Sequence, residues 1–456
     1  MSEVKLPEGW IDVQLGQIID YGKANKKVLS DVMPSTWVLE LEDIEKDSSK
    51  LLNQVQMSER PFKSTKNSFK KGDVLYGKLR PYLNKVILAN SDGVCTTEII
   101  PISAEPLCSN KYIFYWLKNS IFLRYVNAVS YGVNMPRLGT SDGNRAPFRL
   151  APFAEQKIIA DKLDTLLAQV GSTKARLEQI PQILKRFRQA VLVAAVSGNF
   201  TEEWRAQNPD QACTKIVSLG DIIIDGPQNG IYKPSSLYGS GHKIVRIDSF
   251  YDGVLCDWNT FKRVQLENSD VQKWSLRNND ILINRVNSIE YLGKCGLVEN
   301  LPEVTVFESN IMRITLNPEK AVAKFVTIFL SSIIGLSRLR ENAKLAVNQA
   351  SINQKDVKSC KIELPNISEQ TEIVRRVEQF FAYADTIEKQ LQNALERVDN
   401  LTQSILAKAF HGELTAQWRA ENPELISGEN SAQSLLVKIQ QQRKSINNIK
   451  HRKGKS

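Results

Sequence analysis

Trp204-Arg205-Ala206-Gln207-Asn208-Pro209 recurs, one substitution apart, as Trp418-Arg419-Ala420-Glu421-Asn422-Pro423. Glu155-Gln156 recurs as Glu369-Gln370 at the same displacement of 214 residues. Between these anchors the stretches 155–209 and 369–423 align without a gap, and 15 of 55 positions are identical; Gly198 falls on Gly412 and Thr201 on Thr415. A chain that carries its own copy is expected to build one architecture twice. In the first copy apolar or tolerated residues stand at Ile159, Leu163, Leu166, Val170, Thr173, Leu177, Ile180, Leu184, Phe187 and Val191. In the second they stand at Ile373, Val377, Phe380, Ala384, Ile387, Leu391, Ala394, Val398, Leu401 and Ile405. The steps alternate four and three in one register, the pattern of a coiled-coil seam. At about 1.5 Å per residue each seam runs roughly 48 Å. Two such seams in one chain are expected to pack on each other as an antiparallel pair. Pro181 either kinks the first helix or opens a second segment at its N1 position.

The segments outside the seams are duplicated more loosely. Leu15-Gly16-Gln17-Ile18-Ile19-Asp20 resembles Leu219-Gly220-Asp221-Ile222-Ile223-Ile224, and Gly72-Asp73-Val74-Leu75 resembles Asn279-Asp280-Ile281-Leu282. Lys111-Tyr112-Ile113, with Leu117, Ile121 and Leu123, matches Lys324-Phe325-Val326, with Leu330, Ile334 and Leu336, in a helical rhythm. The rest alternates β-branched residues with Gly, Asn, Asp and Pro, which predicts short strands and turns. The expected fold class is therefore α+β: two similar α/β globules, 1–152 and 210–366, separated by two long helices packed as an antiparallel coiled coil with pseudo-two-fold symmetry. The helical spacers span 153–209 and 367–425. A tail, 426–456, carries Lys438, Arg443, Lys444, Lys450, Arg452, Lys453 and Lys455 with no acid after Glu429, and is expected to be mobile.

Composition narrows the function. The 456 residues suit two to four domains. Lys plus Arg is 60 against 50 for Asp plus Glu, a formal charge of +10, and 42% of residues are hydrophobic, which excludes a wholly disordered or fibrous chain. The longest aliphatic stretch, Ala190 to Val196, falls far short of a membrane span, and Met1-Ser2-Glu3-Val4-Lys5 lacks an apolar signal core, so a cytoplasmic protein is expected. Cysteines 95, 108, 213, 256, 295 and 360 form no CxxC pair and read as reduced. The histidines, His242, His411 and His451, lack metal-ligand spacing.

Two equivalent globules on a rigid spacer form a ruler, and duplex DNA offers half-sites about 34–36 Å apart on one side. Lys78, Arg80, Tyr82 and Asn84 interleave cations, an aromatic ring and an amide in the first globule, followed by Asn134, Arg137 and Arg145. Arg285, Asn287 and Ser288 occupy the corresponding place in the second, and Asn348, Gln349, Ser351, Asn353 and Lys355 correspond to the Asn134 segment. Arg reads guanine and Asn or Gln reads adenine by paired hydrogen bonds, while Lys and Ser more often grip phosphate. These residues are the candidate DNA contacts; taken singly, each also fits an ordinary solvated loop. Lys185, Arg186 and Arg188 either form a solvated face or follow the DNA backbone across the gap. The Trp204 and Trp418 motifs read first as caps that fold a helix hairpin against the rod, with partner docking as a shared role.

At the central helix the pattern becomes specific. Ala154-Glu155-Gln156-Lys157-Ile158-Ile159, Lys162 to Val170 and Gln182 to Leu192 resemble the central conserved region of the specificity subunits of type I restriction-modification enzymes, in particular the K family of enteric bacteria. Leu406 to Phe410, Gly412-Glu413-Leu414-Thr415 and Trp418-Arg419 are similar to the distal conserved region, and Leu6-Pro7-Glu8-Gly9-Trp10 to the family's opening. The resemblance implies that the globules are target-recognition domains, each reading half of an asymmetric bipartite DNA site, and that the chain has no catalysis of its own. It implies double-stranded DNA, two methyltransferase subunits and restriction subunits as partners. It implies no cofactor on this chain; S-adenosylmethionine for adenine-N6 methylation, ATP and Mg belong to the partner subunits.

Enzyme motifs are absent from the sequence. There is no GxxxxGK[ST] loop, Gly239-Ser240-Gly241-His242-Lys243 being a Gly-rich turn, and no GxSxG. Asn208-Pro209-Asp210 and Asn422-Pro423-Glu424 lack the Pro-Pro-aromatic continuation of amino-methyltransferases. Two other readings stand beside the leading one: a free-standing bipartite DNA-binding regulator, and a coiled-coil scaffold without a nucleic-acid role.

Overall fold

The computed structural model of the chain describes residues 6–132, 134–346 and 349–453. They form two compact units, one of residues up to Leu177 together with those from Asn393 onward, the other of Glu178–Gln392. Each contains one strand-rich globule and its share of the long helices.

In the first unit, Ile11–Gln14 pairs antiparallel with Pro147–Leu150, Ile11 opposite Leu150 and Val13 opposite Phe148, so the ends of the globule are zipped together. A four-stranded sheet (Lys26–Lys27, Lys66–Phe69, Gly93–Cys95, Trp37–Leu39) and a three-stranded one (Val86–Leu88, Val74–Gly77, Ile99–Ile102) build the rest. Helix Asn110–Leu117 buries all but one of its side chains. The end of the long helix Ile367–Phe410 is bolted into this core: the Phe410 ring meets Trp116 at 5.0 Å and Tyr112 at 5.2 Å between centroids, both edge-on, a geometry aromatic quadrupoles favour.

The second unit repeats the plan. Thr214–Ser218 pairs antiparallel with Lys361–Pro365 and closes the globule. A six-stranded mixed sheet carries Ile311–Leu316 and Ile281–Asn284 at its centre, and helix Ala323–Ser331 is buried from Phe325 onward. Matched details follow the sequence repeat. Gly72 and Asn279 both take left-handed backbone, φ +90° and +72°. Asp73 and Asp280 each accept a backbone N–H from three residues upstream at 2.8 Å. Lys111–Asp164 and Lys324–Glu378 are ion pairs at equivalent places, 2.5 and 2.6 Å.

Pro181 settles on its second option: one helix runs Phe153–Leu177 and another Ile180–Val196, with Pro181 in the first turn. Pairing with the long helix is antiparallel within each unit. In the first, Glu155 meets Thr415 and Lys174 meets Asp399; in the second, Arg188 meets Asp385 and Arg205 meets Glu369. Ile159, Leu163, Leu184, Val191, Ile373, Val377, Ala384 and Leu391 are buried as the heptads require. Phe380 and Leu401 are not, at 41% and 44% exposure, because two helices without a third layer leave large seam residues half open. The mobile-tail expectation is corrected. Ala432–Lys453 is a helix, and Ala432, Leu435, Leu436 and Ile439 enter the first unit's core, while Arg443 donates to the Gly16 carbonyl at 2.7 Å and pairs with Asp20. Among the described residues no helix is long and apolar enough to cross a membrane.

Candidate nucleic-acid interface

The two loop pairs picked out in the sequence are joined by the same main-chain scaffold. In the first globule the Lys78 N–H donates to the Glu98 carbonyl at 2.9 Å, and the Lys78 carbonyl accepts from Leu138 at 3.0 Å. Leu79 bridges Arg137, and Arg137 bridges Tyr131, giving a three-ply arrangement in the order 79, 137, 131. In the second globule the Arg285 N–H donates to the Asn310 carbonyl and its carbonyl accepts from Ile352, both at 2.9 Å. Val286–Asn287 pairs with Gln349–Ser351, which pairs in turn with Lys344–Ala346. Lys78 and Arg285 are thus equivalent positions, as are Leu138 and Ile352.

The side chains on this scaffold differ in availability. Tyr82, Asn134, Ser288, Gln349 and Lys355 are exposed, while Lys78, Arg80, Arg285, Asn287 and Ser351 are half-buried. Arg80 takes φ +50° ahead of the turn Pro81–Leu83, and its buried Nε finds no acceptor among the described residues; nor does Nε of Arg285, whose Nη1 donates to the Ser309 carbonyl at 3.1 Å. Buried guanidinium nitrogens without acceptors are costly, and the same lack is found at Nε of Arg313, away from these loops.

Several expectations need correction. Asn84 is 3% exposed with φ +46°, because it ends the Pro81–Leu83 turn, so it is not presented to a duplex. Arg137 is paired with Glu98 at 3.1 Å. The Asn353 side-chain oxygen accepts from the Lys355 and Asp356 N–H groups and caps helix Gln354–Ser359, which commits its acceptor. Arg145, exposed at the end of helix Thr140–Arg145, lines a shallow cleft with Asp12, Gln17 and Tyr125 at the closing ribbon instead of joining the paired loops. Asn348 lies outside the described residues. On the spacer, Arg188 bonds Asp385 at 2.6 Å and Glu388 at 2.9 Å, which makes it a clamp between helices, whereas Lys185 and Arg186 stay exposed.

Sequence reasoning named Glu155 and Glu369 as anchors of the repeat but gave them no role. Glu155 is fully buried; its Oε1 accepts from Thr415 and Arg419 at 2.5 Å each, and its Oε2 from the Trp10 indole at 2.7 Å. Glu369, equally buried, accepts from Thr201 at 2.6 Å and Arg205 at 2.7 Å. In both motifs the arginine also donates to the carbonyl of the preceding glycine, Gly198 or Gly412, at 2.7 Å. The identity of Glu, Gly, Thr and Arg between the copies was the available signal: a buried carboxylate needs these donors.

Residues 7–182 and 215–397 match the family model described as a type I restriction modification DNA specificity domain. The chain belongs to the type I restriction-modification specificity subunits. It is 45% identical over 354 residues to the EcoKI specificity subunit of Escherichia coli K12, covering 77% of this chain and 76% of that one. It is 46% identical over 340 residues to the StySPI specificity subunit of Salmonella potsdam, covering 74% and 73%. Among solved structures, the HsdS subunit from Thermoanaerobacter tengcongensis superposes with a TM-score of 0.57 over 90% of this chain and 99% of that one. A chain from a structural study of complex assembly and conformational transition in a type I R-M system superposes with 0.67 over 89% and 98%. At 19% identity both show likeness of fold alone. As a specificity subunit, the chain is the non-catalytic DNA-recognition component of its system.

Proposed function

We propose that each globule reads one half of an asymmetric bipartite DNA sequence through its paired loops, Lys78–Tyr82 with Asn134–Arg137 in the first and Arg285–Ser288 with Gln349–Lys355 in the second. The observation that carries this reading is the scaffold built twice. Lys78 and Arg285 sit on the same pair of main-chain hydrogen bonds, while the side chains around them differ. One frame with two sets of side chains suits two different half-sites. The paired helices set the unread gap and dock two methyltransferase subunits, which use S-adenosylmethionine to methylate adenine N6 once per half-site. Restriction subunits that hydrolyse ATP with Mg join that complex in the cytoplasm, and this chain binds none of those cofactors. Lys185 and Arg186, exposed on the spacer, add affinity to the backbone that falls with salt.

Mapping methylated adenines in a genome that carries the assembled complex tests the reading. Two short specific sequences at one fixed spacing, with modified adenines on opposite strands, are expected. A single contiguous motif, or no motif, would overturn it.

A further inference from the structure

The terminal helix Ala432–Lys453 lies along the first globule in a definite direction. At its start the Ala432 N–H donates to the Gly9 carbonyl at 3.0 Å, next to the Trp10 whose indole serves Glu155 on the rod. Further along, Arg443 donates to the Gly16 carbonyl at 2.7 Å and pairs with Asp20. From Asp20 the reading scaffold is close by two routes. Gly22 packs on Thr140, where a Cβ would come within 2.8 Å of Oγ1, and Leu138, just before Gly139 and Thr140, donates to the Lys78 carbonyl at 3.0 Å. Lys26 pairs in its strand with Asn67, whose side chain donates to the Ile99 carbonyl beside Glu98, the partner of Arg137. The helix thus runs from the rod end of the globule toward its reading end. It does not stop at the Asp20 anchor: the backbone stays helical to Lys453, about 15 Å of rise beyond Arg443. Over its whole length it carries Lys438, Arg443, Lys444, Lys450, Arg452 and Lys453 and no acid. Lys444 is exposed, and so are Lys23 and Lys26, of the same sign, between the anchor and the reading loops.

The helix dipole favours cations in a last turn, which accounts for the closing residues taken alone. It gives no reason for a helix without a single acid, in which like charges repel one another. Clustered cations at the end of an anchored element suit phosphate, whose neutralisation releases counterions. We propose that Ala432–Lys453 is an arm that brings Lys444, Lys450, Arg452 and Lys453 to the phosphate backbone at the first half-site, tightening the grip on that half without reading its bases. After the first copy of the repeat the chain passes instead into strand Thr214–Ser218 of the second globule, so the arm belongs to one half-site alone. This rests on the half-site reading above and adds to it an unequal hold on the two halves.

The test measures binding of the assembled methyltransferase–specificity complex to duplexes carrying its target sequence over a range of salt. A variant combining Lys444→Gln, Lys450→Gln, Arg452→Gln and Lys453→Gln keeps a good helix former at each place and leaves Leu435, Leu436, Ile439 and Arg443 untouched. Its plot of log K against log salt is expected to be shallower by about 2–4, near 0.9 per lost phosphate contact, with affinity lower by about tenfold or more. Replacing Lys444, Lys450 and Lys453 by Arg keeps the wild-type slope. Methylphosphonates, which remove the phosphate charge, weaken wild type at either half-site, and weaken the Gln variant less than wild type at the first half-site only. The methylated motif and the urea unfolding midpoint stay as in wild type, because phosphate contacts carry no sequence information. An unchanged slope, an altered motif, a loss of affinity that tracks a lowered midpoint, or the same methylphosphonate response at both half-sites would overturn the proposal. So would a Gln variant that releases its methyltransferase subunits while its DNA slope is intact, since the helix would then be a protein-docking surface. A wild-type complex that prefers no sequence would instead sink the half-site reading, and the arm with it.

Discussion

Glu155 and Glu369 show what a single buried carboxylate demands. Both are fully buried, and both accept from a threonine and an arginine, yet only Glu155 also has an indole donor, from Trp10. Removing the arginine leaves a buried charge short of its main partner, and Arg419→Ala should cost about 3–5 kcal/mol. Trp10→Phe keeps the ring and deletes one donor, and should cost about 1–3 kcal/mol. Urea unfolding midpoints of the two variants check the order, which reverses if the indole is the principal partner. At the reading loops, Arg285→Ala or Asn287→Ala should relax one position of one half-site, by about 1–3 kcal/mol per base contact. A uniform loss across sequences in a binding assay would mark them as phosphate contacts. Which loops matter was legible, because the copies repeat them at matched places. Which side chains are available was not. The Glu98 partner of Arg137 comes from a strand end 39 residues away, and the burial of Asn84 follows from a turn that only its left-handed backbone reveals.

The long helices were the most legible elements, since the four-three rhythm is regular over both copies and carries its own register. Its failures, Phe380 and Leu401, mark where two helices cannot enclose a seam. The terminal helix Ala432–Lys453 was missed because its charge suggested a solvated tail. Yet Ala432, Leu435, Leu436 and Ile439 stand at the three- and four-residue steps of a buried stripe, and that spacing was the signal to follow. If the paired helices set the gap, inserting four residues into Ile367–Phe410 adds about 6 Å of rise, near two base-pair steps. Methylation mapping should then report a gap lengthened by about two base pairs; an unchanged gap would mean that other elements fix the spacing.

The molecule as a whole is divided unevenly. Glu178–Gln392 is one continuous segment, whereas the other unit draws on both the start of the chain and the residues from Asn393 onward. Phe410, Thr415 and Arg419 complete the first globule's core and its carboxylate clasp, and Leu435, Leu436 and Ile439 cover its flank. Deleting 427–456 removes those three side chains, whose burial contributes about 1.5–3 kcal/mol each, and uncovers the flank they cover. Hydrogen exchange should therefore quicken through residues 6–177 and stay unchanged across 178–392; equal quickening in both would show that the units are not separately stabilised. The repeat made this two-part plan readable, but not the exchange of partners, because no local pattern states that Glu155 is to be met by Arg419 rather than by Arg205 in the nearer motif.

That division sets an order of events at the ribosome. The middle segment has all its partners once it has been made, while the first globule must wait for chain that is still unsynthesised. At roughly 5–20 residues per second, the last 64 residues take about 3–13 seconds to appear. Until Phe410 has been made, early in that interval, the oldest part of the nascent polypeptide stands with Tyr112 and Trp116 uncovered by it, and it is the part most in need of a chaperone.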